Sequence, residues 1–220
     1  MKHLIILFFC SACLQVTAQK STILFNGKST DGWHTWHSDK VVGWKIEDGA
    51  LTTDGDAGDL VTDKEYHNFV LTFEYKISPE GNSGVVYKVI EDPKDEKLFA
   101  TYASGPEFQI IDDENYPGEV LPEQHSGANY ALAAPLETNA ANPAGSWNKG
   151  KIICKDNHVM HFINNKLVAN YTYGSTEWSE MVKKTKFATW PYATPHNKGK
   201  IALQGHGDQV WFKNIKIKEL

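Results

Sequence analysis

The chain has 220 residues and a net charge of −5 at pH 7, and its 22 Lys/Arg side chains are all lysine. The negative charge argues against a general affinity for nucleic acid or for acidic membrane surfaces. Hydrophobic residues make up 41% of the chain and charged residues 22%, which excludes a disordered protein and allows one good core. Because arginine is absent, no guanidinium group is available for bidentate contacts with carboxylates or phosphates.

The N-terminal segment has the features of a secretory signal peptide. Lys2 lies before an apolar run at residues 4–9 that is too short to span a bilayer, and Val16-Thr17-Ala18 fits a cleavage site of small residues. The sequence therefore predicts a signal peptide at residues 1–18 and one mature domain at residues 19–220. Such a protein would be exported to the periplasm or the extracellular space.

A lipid anchor is the alternative at this end of the chain. Cys13 follows Ser11-Ala12 and could carry the lipid, although Cys10 stands where a lipobox has a branched aliphatic residue. After cleavage at Ala18, Cys154 is the only cysteine left, so no internal disulfide is expected. Cys154 lies in an apolar strand pattern, which predicts a buried structural thiol.

Short alternating segments separated by turn residues predict an all-β domain. Asp48-Gly49 predicts a hairpin turn, and one short helix is expected at residues 177–184. The predicted strands, in chain order, are residues 44–47, 68–77, 84–90, 107–111, 149–155, 160–163, 166–171, 200–204 and 210–218. Two long stretches without strands, 112–129 and 131–146, are expected to form functional walls or lids. This pattern favours a single β-sandwich or barrel.

Alternation along the strands predicts which polar side chains share a face. Phe108 and Ile110 take the core, so Glu107 and Gln109 point the opposite way. The same count places on the polar side the residues Glu74, Lys76, Lys88, Gln204 and His206. If their strands are neighbours, these side chains line a binding cleft that the long loops can cover. The alternative, a set of solvated outer-face residues, stays open.

The segment Glu107-Phe108-Gln109-Ile110-Ile111-Asp112 also resembles the Glu-x-Asp-x-x-Glu strand of retaining β-glucanases. Here the central carboxylate is an amide and the last one is a methylene shorter. A retaining mechanism needs two carboxylates at roughly 5 Å, which this segment does not obviously supply. An ordinary glucan hydrolase is therefore disfavoured. A second acidic stretch, residues 54–59, half matches a calcium loop but is better interpreted as a polar β-turn.

Several short motifs together resemble the 3-keto-disaccharide hydrolase domain family. They occur in order over the whole mature chain, and the set is specific although each motif is small. The motifs are Leu24-Phe25-Asn26-Gly27-Lys28, Asp31-Gly32-Trp33, Asp48-Gly49, Gly81-Asn82-Ser83-Gly84, the 107–112 segment, Gly127-Ala128-Asn129-Tyr130, Gly145-Ser146-Trp147-Asn148, Ile201-Ala202-Leu203-Gln204-Gly205-His206-Gly207 and Phe212-Lys213-Asn214-Ile215.

The resemblance implies a concanavalin-like jelly-roll β-sandwich that acts on 3-keto-glycosides, by hydrolysis or by C1–C2 elimination and hydration. In some members one divalent metal ion takes part. Glu107 is the expected base or metal ligand, and His206 the expected acid or metal ligand. Side chains expected to contact the sugar are Asn82, Lys88, Gln109, Tyr130 and Gln204, with Lys88 near the developing enolate.

The sequence departs from the family pattern at several positions. Lys76, Lys88 and Lys213 stand where the family usually has arginine, and Gly205 replaces a frequent aspartate. A lysine keeps the positive charge but loses the bidentate geometry. A non-catalytic, lectin-like carbohydrate-binding module on the same fold is the alternative function, because sandwich folds carry lectins as well as enzymes. In both cases the expected partner is a small carbohydrate.

Overall fold

The computed structural model describes residues 20–53 and 55–220 of the chain. The predicted signal peptide, the cleavage site at Ala18 and the alternative anchor Cys13 lie outside these residues. Within the described part, no helix is long and apolar enough to cross a membrane. The α-helix there, α1 (Thr176–Val182), begins after Ser175, whose hydroxyl accepts a hydrogen bond from the backbone N–H of Trp178.

The described residues form two antiparallel sheets. The larger sheet contains β1 (Thr22–Phe25), β3 (Trp44–Glu47), β4 (Ala50–Thr53), β6 (Phe69–Ile77), β9 (Asn148–Lys155), β10 (His158–Ile163), β11 (Lys166–Thr172) and β13 (Val210–Glu219). Its strand order is β11-β10-β9-β6-β13-β4-β3, and β1 pairs with β13 as well.

The smaller sheet contains β2 (Trp33–Thr35), β5 (Leu60–Thr62), β7 (Asn82–Val89), β8 (Glu107–Ile111) and β12 (Lys200–Leu203). Its strand order is β2-β5-β12-β7-β8. Short 3-10 turns lie in the connections, at Thr101–Ala103, Pro122–Gln124, Lys186–Thr189 and Pro191–Ala193.

The core lies between the two sheets and is rich in aromatic rings. The ring centroids of Phe73 on β6 and Phe108 on β8 are 5.4 Å apart, and those of Phe69 and Tyr87 are 6.2 Å apart. Alternating residues on each strand supply these inward side chains, as the β-sandwich pattern requires. The predicted sandwich, its longer strands and its single short helix are therefore confirmed. Cys154 is fully buried, as expected.

The prediction that Glu74 and Lys76 share a face with Glu107 is wrong. Both side chains do point away from the core, but they lie on β6, which pairs with β9 and β13 in the larger sheet. Glu107 lies on β8 in the smaller sheet. Alternation fixes the face of a strand but not the sheet to which the strand belongs.

The prediction that Lys88 lies on the polar face is also wrong, because β7 contains a bulge. Ala202 pairs with Val86 and Lys200 pairs with Val89, so β7 has one extra residue here, and Lys88 has a φ of 56°. The bulge turns Lys88 inward, where its side chain is fully buried.

Polar groups of the neighbouring loops satisfy the buried ammonium of Lys88. Its Nζ donates to the backbone oxygen of Asn197 at 2.7 Å and lies 5.3 Å from the ring centroid of Tyr173. Burial lowers its pKa. Lys88 is therefore part of the interior and does not line the pocket that holds the other predicted site residues.

Candidate functional site

The outer face of the smaller sheet carries a small pocket where β7, β8 and the end of β12 lie side by side. Gly84 pairs with Gln109 across β7 and β8, and the backbone N–H of Gln204 donates to the oxygen of Gly84 at 2.9 Å. The pocket has a volume of about 80 Å³. Its lining residues are Asn82, Tyr102, Glu107, Gln109, Tyr130, Gln204 and His206. The structure thus brings together every predicted site residue except Lys88.

Glu107 lies at the bottom of this pocket with little contact to solvent. Its side chain passes over Gly84, where a Cβ atom would stand 2.1 Å from Glu107 Oε1. The other oxygen, Oε2, is buried and has no hydrogen-bond partner. Burial and the nearby Asp59 raise the pKa of Glu107 to about 8, against a smaller lowering by Lys186. The free carboxyl therefore holds a proton at neutral pH and accepts or releases it easily.

Asp59 is a second carboxyl beside Glu107. The hydroxyl of Thr101 and the backbone N–H of Gly205, at 3.0 Å, both donate to Asp59. Burial raises the pKa of Asp59, while these two hydrogen bonds and the nearby His206 lower it. Asp59 does not line the pocket, and it acts on the site through the electrostatics of Glu107.

The amide side chains of the pocket have unused hydrogen-bonding capacity. Gln109 Nε2 donates to Asn82 Oδ1 at 3.2 Å, which fixes the orientation of both amides. Gln204 Oε1 is buried and has no partner. Two orphaned oxygens, one on Gln204 and one on Glu107, thus occur in a single pocket. Buried polar atoms of this kind call for a hydrogen-bonding partner such as a water or a sugar hydroxyl.

Tyr130 reaches the pocket because the segment before it folds back along β8. The N–H of Gly127 donates to the oxygen of Gln109 at 2.8 Å, and the N–H of Tyr130 donates to the oxygen of Glu107 at 3.1 Å. The buried His161 also contacts this segment, with its Nδ1 3.0 Å from the oxygen of Gly127. Of the two predicted loop walls, 112–129 therefore leads into the pocket, and no residue of 131–146 lines it.

Lys186 brings a positive charge close to two pocket residues, Tyr130 and Tyr102. Its Nζ donates to the hydroxyl oxygen of Tyr130 at 3.1 Å. The same Nζ lies 4.5 Å from the ring centroid of Tyr130 and 5.1 Å from that of Tyr102. Since an ammonium group only donates, the hydroxyl hydrogen of Tyr130 remains available for a group in the pocket.

His206 lies at the exposed edge of the pocket. Its Nδ1 is 3.8 Å from Asp208 Oδ2, and the same oxygen of Asp208 accepts the backbone N–H of Asn82 at 2.9 Å. Asp208 therefore connects the β12–β13 turn, beside His206, to the start of β7.

A metal ion would find a limited set of ligands in this pocket. Within residues 20–53 and 55–220, no group of three or more His, Cys, Asp and Glu side chains is arranged to hold a metal ion. The orphaned oxygens of Glu107 and Gln204, together with the imidazole of His206, are the groups that could contact one. Such an ion would need water or substrate oxygens to complete its coordination, as Mg²⁺ commonly does.

Sequence reasoning missed four residues of this site: Asp59, Tyr102, Lys186 and Asp208. Asp59 belongs to the acidic stretch that was interpreted as a polar turn. Tyr102 and Lys186 lie in 3-10 turns, where no strand alternation indicates a face. Asp208 follows the Gln204-Gly205-His206 motif by two residues, so its proximity to the motif was the one available signal.

Comparisons with known proteins place the chain in a family. The sequence profile described as a 3-keto-α-glucoside-1,2-lyase-like domain matches residues 20–218. A 3-keto-disaccharide hydrolase from Bacteroides thetaiotaomicron is 33% identical, over 94% of this chain and 81% of its own length. These matches confirm the resemblance that the sequence motifs indicate.

Solved structures agree with this assignment. A provisionally named glycosyl hydrolase from Parabacteroides distasonis has a TM-score of 0.84 and 38% identity, covering 91% of this chain and 94% of its own. A carbohydrate-binding module from Bacillus subtilis has a TM-score of 0.52 at 13% identity, covering 86% and 96%, and it shares the fold alone. The jelly-roll-like sandwich is therefore shared with carbohydrate-active proteins, and the chain belongs to the 3-keto-α-glucoside-1,2-lyase-like domain family.

Proposed function

We propose that this protein is an exported enzyme that cleaves 3-keto-glycosides and that Glu107 is its base. The observation that carries the proposal is the buried carboxyl of Glu107, which has an unpartnered oxygen and a pKa raised to about 8. A carboxylate of such raised pKa is a stronger base than an ordinary one and still ionises near neutral pH. Family membership and the 3-keto-disaccharide hydrolase relative support a keto-sugar substrate.

The chemistry starts from the acidity of the C2 hydrogen beside a C3 ketone. Glu107 removes this proton and an enolate forms. The enolate expels the C1 substituent with the bonding electrons, leaving a C1–C2 double bond conjugated with the ketone, and the departing oxygen takes a proton. Water then adds its oxygen to C1 and a hydrogen to C2, so the net reaction consumes one water and hydrolyses the glycosidic bond.

Tyr130 and Lys186 are placed to stabilise the enolate. The ammonium of Lys186 donates to the Tyr130 oxygen at 3.1 Å, which leaves the Tyr130 hydroxyl hydrogen to donate to the C3 oxygen. A donor polarised in this way becomes more effective as negative charge develops on the ketone oxygen. In this proposal Tyr130 and Lys186 take the role that the sequence assigned to Lys88.

The remaining polar groups orient the sugar and handle the leaving group. Gln204 Oε1 and the Asn82–Gln109 amide pair are positioned to bind hydroxyls, and His206 at the pocket edge can protonate the departing oxygen. If a divalent ion takes part, Gln204 Oε1 and His206, as a ligand instead of the acid, would hold it, and it would supply positive charge near the substrate oxygens while Glu107 stays free as the base. Isothermal titration with Mg²⁺ or Mn²⁺, using protein freed of metal by a chelator, tests metal binding independently of turnover.

The decisive experiment compares a 3-keto-glucoside with its parent glucoside, using protein that begins at Gln19. We expect release of the aglycone from the keto form alone, and deuterium at C2 should slow the reaction or exchange with solvent.

Because the base acts in its ionised form, kcat/KM should rise with pH through about 8. Glu107→Gln should abolish turnover, and the exposed Glu137→Gln should retain it. Equal rates on both glycosides would contradict the mechanism.

A lectin-like module would give a different result in the same assay. It would bind the glycoside without releasing the aglycone, and Glu107→Gln would leave that binding intact. Wild-type binding with no turnover on keto-glycosides would therefore favour the carbohydrate-binding module over the enzyme.

Export is part of the proposal and has its own test. The intact mass of the mature protein from its natural source should correspond to a chain that begins at Gln19. A diacylglycerol adduct on Cys13 would instead show a lipoprotein.

A further inference from the structure

An exposed group of aromatic rings adjoins the Glu107 pocket. Phe99 is 54% exposed, although it is a large hydrophobic residue. Its ring centroid lies 5.0 Å from that of Trp190 and 6.3 Å from that of Tyr102. The Tyr102 and Trp190 rings are 5.9 Å apart, and both are half-buried. We call Phe99, Tyr102 and Trp190 the aromatic platform.

The platform is continuous with the pocket through two residues. Tyr102 belongs to both, because it also lines the pocket and its ring lies 6.4 Å from that of Tyr130. Lys186 also contacts both. Its Nζ lies 5.6 Å from the ring centroid of Trp190 in the platform and 4.5 Å from that of Tyr130 in the pocket. A ligand that reaches Glu107 with one end therefore has the platform available for the other end.

Buried neighbours support the backbone of the platform, and the Trp190 ring packs against the ring of the buried Phe187 at 5.3 Å. Leu98, next to Phe99, is buried, and its N–H donates to the oxygen of Asp95 at 2.9 Å. The N–H of Trp190 donates to the oxygen of the buried Phe187 at 3.0 Å. A preorganised surface loses little conformational entropy on binding.

We infer that the aromatic platform is the leaving-group subsite of this enzyme and that it takes an aromatic aglycone. The inference rests on the proposed function, since that function places a C1 substituent next to Glu107. The pocket itself, at about 80 Å³, has room for part of a sugar ring only, so the substituent must extend beyond it.

The chemistry of the platform favours an aromatic ring over a second sugar. The hydrogen-bonding groups of the site lie on the pocket side, on Glu107, Gln109 and Gln204. The platform offers mainly ring carbons, in edge-to-face geometry that a further aromatic ring can extend. A second sugar could contact these rings only through its C–H faces, whereas an aromatic ring adds a ring–ring contact of the kind already present between Phe99 and Trp190.

Binding of unreactive glucosides tests this inference apart from catalysis. Isothermal titration would compare phenyl, methyl and glucosyl glucosides of both anomers, using the full mature protein. We expect the phenyl glucoside to bind about 3- to 10-fold more tightly than the methyl one, the range of one aromatic contact. Phe99→Ala should remove this preference and Phe99→Trp should keep it. Phe162→Ala, which removes an aromatic ring from the larger sheet, should leave it unchanged.

The possible results distinguish a failure of the aromatic subsite from a failure of the proposed reaction. A phenyl preference that survives Phe99→Ala, or a stronger preference for the glucosyl glucoside, would overturn the aromatic subsite. If the platform behaves as expected but no keto-glucoside is cleaved, the subsite stands as a binding site and the proposed reaction fails.

Discussion

The buried carboxyl of Glu107 couples the stability of this protein to pH. Its folded-state pKa of about 8 lies above the ordinary value of 4.5. The folded state therefore binds this proton more tightly than the unfolded state does. The resulting stabilisation is complete below about pH 4.5 and is lost as the pH rises through about 8.

Glu107→Gln should therefore stabilise the protein at alkaline pH. Above pH 8 the wild type must bury a charge that the amide lacks, a difference of about 5 kcal/mol at most. Urea unfolding of both proteins at pH 5 and pH 9 measures the effect. We expect a small difference at pH 5 and a clear gain for the variant at pH 9. Glu137→Gln, an exposed carboxyl, is the control, and an equal shift at both pH values would contradict the assignment.

Gly84 makes room for the Glu107 side chain, so a methyl group there should displace the base. A Cβ at this position would lie 2.1 Å from Glu107 Oε1 and 2.8 Å from its Cδ. We expect Gly84→Ala to lower kcat/KM on a 3-keto-glucoside by about 100-fold, because small displacements of a catalytic group carry large penalties. In the Glu107→Asp background, where the shorter side chain leaves room for the methyl group, the same change should have little further effect on the remaining activity. Additive losses would show that Gly84 acts elsewhere.

The bulge in β7 is the reason why Lys88, predicted to lie in the site, lies in the interior instead. One extra residue between Val86 and Val89 places both Tyr87 and Lys88 on the core side. Gly199 lies directly against this backbone, since a Cβ there would stand 2.3 Å from the carbonyl carbon of Lys88. Strict alternation cannot predict such a bulge, because it is set by contacts between distant segments.

Lys88→Met should reveal that Lys88 is a structural residue. The Nζ of Lys88 donates to the backbone oxygens of Asn197 and His196, at 2.7 and 3.3 Å, and the variant leaves both acceptors without this donor. We expect the free energy of unfolding to fall by about 1–3 kcal/mol. The kcat/KM of the folded variant should stay within a factor of two of the wild type. A large loss of kcat/KM at unchanged stability would return Lys88 to the active site.

Across the whole molecule, the site residues that could be predicted from the sequence are those on or next to regular strands. Glu107 and Gln109 were placed correctly because β8 pairs with β7 in continuous register, without a bulge, so its side chains alternate between the two faces. Gln204 and His206 were found by continuing the alternation of β12 past Leu203, and the family motif at 201–207 contains both. Asp59, Tyr102 and Lys186 were missed because they reach the pocket from connections, whose paths depend on packing between distant parts of the chain. The same limit put Glu74 in the wrong sheet.

The single buried thiol offers a measure of how cooperatively this sandwich unfolds. Cys154 lies on β9, between β6 and β10 in the larger sheet, and it is fully buried. Burial raises its pKa, which disfavours the reactive thiolate. Opening that exposes Cys154 must separate central strands of the core, which in a two-state domain happens only on global unfolding.

We therefore expect Cys154 in protein beginning at Gln19 to react with a disulfide reagent such as DTNB only through the globally unfolded form of the domain. One thiol per chain should react at once in denaturant, and the native protein should react many orders of magnitude more slowly. The slope of the logarithm of the rate against urea concentration should equal that from circular dichroism, in the regime where the reaction is slower than refolding. A smaller slope would show that the β9 region opens without the rest of the sandwich.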